Sequence, residues 1–171
     1  LEQCLSRGFC GQVSGSLFKA EYRGLDKKWR NQMYDRGYML KVLGGKEWMI
    51  GKRKQNVFNV SVKYTLQGGL RHTPIDIDAM KANVAAGIIT DQPIYKENEV
   101  MSLQFDPTSI LDLTVSYKIN CNKVSHTIAF EGVNILQHET PYAERYDFST
   151  GQLRTDKSGI SLPNIYYRID F

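Results

Sequence analysis

Residues 57–67 read VFNVSVKYTLQ, and they alternate without a break. Phe58, Val60, Val62, Tyr64 and Leu66 take one parity, and Asn59, Ser61, Lys63, Thr65 and Gln67 take the other. A period of two in a run rich in β-branched and aromatic residues predicts a strand with one apolar and one polar face. The polar face carries Lys63. An unpaired buried lysine is costly, so this face is wet or lined by polar partners.

The same period recurs on both sides of this run. Strands are predicted over about 8–23, 34–51, 57–67, 101–119, 124–137 and 160–171. In the first, Phe9, Val13 and Leu17 share a face with Gly11 and Gly15. In the second, Tyr38, Leu40 and Val42 alternate with Lys41, and the pair Gly44-Gly45 suggests a bulge or bend. The fourth is interrupted by DPT at 106–108 and then sets Leu111, Leu113, Val115, Tyr117 and Ile119 against Asp112, Thr114, Ser116 and Lys118. In the fifth, Val124, His126, Ile128 and Phe130 oppose Ser125, Thr127 and Glu131. The last places Ile165, Tyr167, Ile169 and Phe171 on one face and Tyr166, Arg168 and Asp170 on the other.

Connections alternate in length. KRKQN (52–56) and NCNK (120–123) are short turns, whereas 24–33, 68–100 and 138–159 are long. Long loops therefore gather at one end of an antiparallel up-and-down meander. Within 68–100, DIDAMKANVAAG predicts a short helix capped by Asp76 or Asp78 and stopped by Gly87. Loops of such length serve as lids or binding loops in compact folds.

Bulk properties narrow the solvent. The chain has 171 residues, 42% of them hydrophobic, and the ten tyrosines lead an aromatic share of 11% that favours strands. Mean hydropathy is −0.39. No run of about 18 apolar residues exists, which excludes a spanning helix but not a membrane β-barrel. A formal net charge of +4, with the basic residues scattered, argues against nucleic acid as a partner. Cys4, Cys10 and Cys121 form no CxxC pair and have no histidine close by in sequence, so no zinc site is expected. Three free thiols are the simplest reading, with a Cys4–Cys10 disulfide as the alternative. The opening LEQCLSRGFC lacks the segments of a signal peptide. Either a leader has been removed or the chain starts within something larger.

The all-β pattern, the loop asymmetry and strands of roughly 12–16 residues, against the usual 5–6, match an outer-membrane barrel. A tilted strand needs about 9–11 residues to cross a bilayer. The last strand runs away from a long loop, so Phe171 lies at the short-turn, periplasmic end. Aromatics should collect at both interfaces: Phe9, Phe58, Tyr167 and Phe171 at the inner edge, and Tyr22, Tyr34 and Tyr38 at the outer.

Three stretches carry a family resemblance. VSGSLFKAEYRGLDKKWRNQMYDRGYMLKVLGGKEW (13–48), GGLRHTPID (68–76) and RYDFSTGQLRTDKSGISLPNIYYRIDF (145–171) together resemble the carboxy-terminal barrel of TonB-dependent outer-membrane receptors, most closely those of Bacteroidetes. The resemblance spans essentially the whole chain, read as one barrel segment over 1–171. It implies a barrel of about 22 strands filled by an amino-terminal plug. It also implies uptake of siderophores, cobalamin, glycans or peptides with energy passed through TonB. This chain has no plug, no TonB box and about six strands, fewer than the eight of the smallest membrane barrels. Its expected partners are therefore outer-membrane lipid, the remaining strands and the plug, with TonB reached only through the plug. The terminal Ile165, Tyr167, Ile169 and Phe171 resemble the signal read by the barrel-assembly machinery.

Catalysis, cofactors and metals are not expected. His72, His126 and His138 are scattered, and no GxSxG, P-loop or HExxH occurs. Asp76, Asp78 and Asn83 lack the spacing of a calcium loop. Lys63, Glu131 and Arg168 are expected to line the lumen, and Arg71 and His72, opening the longest loop, to contact substrate outside the cell. Two other architectures fit the same pattern. A complete small outer-membrane barrel, structural or adhesive, would need a further hairpin such as AGIITDQPIY (86–95). A soluble β-sandwich or lipocalin-like barrel, acting as a binding module, would bury the Phe58–Leu66 face instead.

Overall fold

The computed structural model describes residues 2–5, 8–52, 55–88 and 92–171, with the backbone alone for 2–5. The strands are β1 (Glu2–Leu5), β2 (Phe9–Leu17), β3 (Glu21–Arg23), β4 (Trp29–Asn31), β5 (Tyr38–Ile50), β6 (Asn56–Gln67) and β7 (Arg71–His72). After helix α1 (Ile77–Ala85) come β8 (Leu103–Gln104), β9 (Thr108–Asn120), β10 (Ser125–Val133), β11 (Thr140–Asp147), β12 (Gln152–Ser158) and β13 (Leu162–Asp170). The chain is all-β, and its principal sheet runs β1-β2-β5-β6-β9-β10-β13. Six long strands pair antiparallel with their neighbours in chain order, and β1 adds a short edge beyond β2. The short turns, with the chain end at Phe171, lie at one end and the long loops at the other.

The registers carry the alternation of each strand across the whole sheet. Trp48, Phe58, Tyr117, Ile128 and Tyr167 form one cross-strand row. Lys46, Val60, Val115, Phe130 and Ile165 form the next. Farther toward the loops, Val42 faces Tyr64 and Tyr64 faces Leu111. Because a one-residue slip would invert a strand, these registers make one face predominantly apolar, with Lys46 and His126 among its polar members. The opposite parity is polar and internally paired. Lys63 Nζ meets Asp112 Oδ2 at 2.7 Å, and Asn59 donates to Glu47 Oε1 at 3.3 Å.

Among the described residues nothing covers the apolar face. Phe9, Val13, Trp48, Val62, Tyr64, Ile128 and Phe130 are all exposed, and Ile165 on the β13 edge is 74% exposed. A monomeric globule of 19.6 kDa exposes about 8,600 Å²; this chain exposes 12104 Å². The surplus reflects a single sheet without a second layer. The remaining sheets among the described residues are two-stranded pairs: β3-β4, β7-β8 and β11-β12. The sheet is also open, with β1 and β13 at its two margins.

The structure corrects several boundaries. The first strand stops at Leu17, because the Asp35 carboxylate takes the Ala20 N–H (2.9 Å) and Phe18 N–H bonds to the Gly37 carbonyl (3.0 Å). The second starts at Tyr38, after Gly37 with φ 77. The fourth starts at Thr108, because Pro107 brings no N–H and Leu103–Gln104 pairs with Arg71–His72 instead. The fifth ends at Val133, where Asn134 turns with φ 52. The last covers Leu162–Asp170. No bulge forms at Gly44-Gly45: both ladders of β5 run through these residues in unbroken register. In 68–100, the described residues form β7, α1, a 3₁₀ turn (Glu97–Glu99) and an Ile75–Tyr95 bridge, not a further hairpin of the main sheet. Positions 89–91 of AGIITDQPIY, 53–54 of KRKQN and 1, 6 and 7 lie outside the described residues.

Asp76 is the helix cap, accepting from Ala79 N at 3.0 Å, and Gly87 follows the helix with φ 74. Cys121 is a free, exposed thiol. Cys4 and Cys10 hold directly opposed positions across β1 and β2, and the Cys4 thiol lies outside the described atoms.

The cluster of buried hydrophobic side chains lies in the loops. Ile75, Met80 and Tyr146 are buried together, with Ile77 and Ile94 against them. The loop roots meet at two glycines. A Cβ at Gly68 would collide with the Arg36 carbonyl oxygen, and one at Gly69 with that of Phe105. Both neighbours are backbone and cannot swing aside. Gly69→Ala is expected to destabilise the loop platform by about 3 kcal/mol, seen as faster proteolytic cleavage within 68–107.

Candidate functional site

The long loops are tied down by one buried charge. Asp35 is 1% exposed. Its carboxylate accepts from Ala20 N at 2.9 Å and from Arg71 Nε at 2.9 Å. Arg71 Nε also lies 3.3 Å from the Asp35 carbonyl oxygen, and Arg71 N–H donates to the Met33 carbonyl at 2.9 Å. One residue pair thereby joins the loop after β2 to the loop after β6. Beside it, Arg36 donates to the Gly68 carbonyl at 2.9 Å, and burial pulls its guanidinium below the usual arginine range.

Arg71 and His72, the expected substrate contacts, line a cavity of about 350 Å³ under these loops. The imidazole of His72 stacks on Phe105, ring centroids 4.0 Å apart and nearly parallel. Its Nε2 is 3.5 Å from Glu144 Oε1, brought over by the β11–β12 hairpin. At that length the contact is electrostatic proximity, and both imidazole nitrogens and Glu144 Oε2 are buried without a hydrogen-bond partner. Tyr95, Tyr142, Met33 and Met101 supply much of the remaining wall. Glu144 stands 72 positions from His72, in a hairpin whose place over the cavity no local pattern announces. Asp35 falls inside the predicted 34–51 strand, where nothing local announces its contacts with Ala20 and Arg71.

The expected lumen residues share the polar face. Lys63 pairs with Asp112, and Asp112 also accepts from Asn134 N at 3.0 Å, fastening the loop after β10. Glu131 Oε2 takes a long 3.5 Å contact from Asn164 Nδ2. Arg168 Nε sits 3.3 Å from Asp170 on its own strand. These residues lie apart from the cavity and form no common site with it.

Ile165, Tyr167 and Ile169 lie on the apolar face, and Phe171 beyond them is 99% exposed. Tyr167 OH is 2.6 Å from His126 Nδ1, which gives that histidine a neighbour-strand partner. Lys46 sits over the Phe9 ring at 4.2 Å and the Trp48 ring at 5.1 Å. Trp48 and Tyr117 extend the aromatic edge beyond the residues sequence spacing singled out.

The β3–β4 hairpin forms a separate polar knob. Both Arg30 terminal nitrogens contact the Asp26 carboxylate, at 2.8 and 2.6 Å. Hydrogen bonding from Arg30, then from the Lys28 N–H, holds the Asp26 carboxyl far below its usual range. A depressed folded-state value means that the contribution is complete above the unfolded value of about 4 and fades as pH falls through the lower folded one. Emission from nearby Trp29 is therefore expected to stay constant from neutral pH to about pH 4. In Asp26→Asn the hairpin should be loosened at every pH. Among the described residues no group of side chains could hold a metal ion. No family model, curated protein or solved structure matches the chain.

Proposed function

We propose that this chain is the carboxy-terminal part of a TonB-dependent outer-membrane receptor that takes up nutrients. The observation that carries the reading is the uncovered apolar face, continuous over six long strands and backed by an ion-paired polar face. Lipid is the solvent that suits such a face, because in water it would be a patch far larger than monomers leave exposed. The polar face then lines a hydrated lumen. The long strands run from 9 to 13 residues, sufficient for tilted membrane strands.

An aromatic row near the short-turn end, with Lys46 reaching over it, suits the periplasmic interface. The long loops then face outside the cell. The open β13 edge suits closure against the first strand of a larger barrel, since lipid does not tolerate unpaired edges. The remaining strands, the plug and, through the plug, TonB complete the machine. The role is transport, not catalysis.

Cell fractionation tests the reading. The protein is expected in the outer-membrane fraction, and to need detergent to stay monodisperse. A monodisperse species without detergent contradicts it.

A further inference from the structure

The geometry points to the cavity beneath the loops as a binding site for a zwitterionic amino acid with an aromatic or long apolar side chain. Three features of the wall select this chemistry. First, Glu144 Oε2 is a buried carboxylate oxygen without a hydrogen-bond partner. Leaving such an acceptor empty costs about 1–3 kcal/mol or more for a charged group, so it calls for a donor. An ammonium group supplies one, with a second hydrogen for His72 Nε2, the ring nitrogen that faces Glu144, in the tautomer that leaves it unprotonated.

Second, Arg71, in the wall of the cavity, meets Asp35 through Nε. The two terminal amino groups of the guanidinium take no part in that contact, and their spacing matches the two oxygens of a carboxylate. Arg71 is already neutralised on one side by Asp35, so a carboxylate there forms a bridged pair rather than replacing a structural one. Third, the rest of the wall is apolar and polarisable: two tyrosine rings and two methionines. A volume of about 350 Å³ lies within the range of small-molecule pockets. Neither a simple cation nor a simple anion satisfies both ends of this wall, and a neutral sugar brings no charge to either end.

The place of this site in transport, as a capture point at the outer mouth, rests on the receptor reading. The binding itself does not. The test is calorimetric titration of the purified protein in detergent with three probes: L-phenylalanine, phenethylamine and 3-phenylpropionate. L-Phenylalanine is expected to saturate and to bind more tightly than either truncated probe. Glu144→Gln should weaken L-phenylalanine and phenethylamine about tenfold and leave 3-phenylpropionate unchanged. Arg71→Lys, which keeps the charge but removes the fork, should weaken L-phenylalanine and 3-phenylpropionate and spare phenethylamine. His72→Phe preserves stacking on Phe105, guarding against loss of the platform, and should still bind with reduced affinity.

Failure of L-phenylalanine to saturate the folded protein overturns the proposal. So does equal weakening of all three probes by both charge variants, the mark of a merely structural role. Detergent-dependent protein that does not bind overturns the pocket and leaves the receptor reading standing. Detergent-free protein that binds does the reverse.

Discussion

Val115→Arg is expected to abolish assembly into the membrane, whereas Thr114→Arg, one residue away, is expected to be tolerated. Val115 stands in the middle of the apolar face, with Val60 on one side and Phe130 on the other. An arginine at the lipid-facing midplane of a barrel costs about 2–4 kcal/mol. That is a large share of the 5–15 kcal/mol that keeps a typical protein folded. Thr114 points to the polar face, where its register partners are Ser61 and Glu131. An arginine there gains Glu131 as a counter-ion and stays hydrated. The readout is the amount of protein recovered from the outer membrane. Equal recovery of the two variants contradicts the assignment of faces.

Arg71→Ala should be the most damaging substitution in the loops. It leaves the Asp35 carboxylate buried with only the Ala20 N–H, and breaking a buried pair in this way costs about 3–5 kcal/mol. The loops after β2 and β6 should then separate and become sensitive to protease, while the strands stay protected. Replacing both residues, as Asp35→Leu with Arg71→Met, removes the stranded charge and should recover much of the loss. If the double variant is as damaged as the sum of the single ones, the pair is not acting as a unit.

The sheet was legible because its physics is local. Phe58 to Leu66 alternate, and alternation is visible along one strand without knowledge of its neighbours. The placing of long and short connections followed directly, as did the capping of α1 by Asp76. Boundaries failed where a distant group decided them. Leu17 ends its strand because Asp35, far along the chain, takes the Ala20 N–H. Gly44-Gly45 looked like a bulge because two glycines lack side chains. In the sheet Gly44 faces Gly11 and Val62, Gly45 faces Cys10 and Ser61, and the ladder simply continues.

The cavity was half legible. Arg71 and His72 stood out as charged residues at the root of a long loop. Glu144 did not, because its approach to His72 depends on how the β11–β12 hairpin folds over. Nor did the role of Gly68 and Gly69 as the contact between loop roots, since a glycine pair after a strand reads equally well as a plain turn.

The central claim is that the apolar face touches lipid, and Trp48 reports on it directly. The chain has two tryptophans. Trp48 lies on the apolar face beside Phe58, with ring centroids 5.6 Å apart, and Trp29 lies in the β3–β4 hairpin at the loop end. In bilayers carrying brominated acyl chains, the Trp29→Phe protein, which retains Trp48, is expected to lose most of its emission. The Trp48→Phe protein, which retains Trp29, is expected to be quenched instead by a water-soluble quencher. Trp48 emission that is indifferent to the bromines and open to the aqueous quencher would contradict the account.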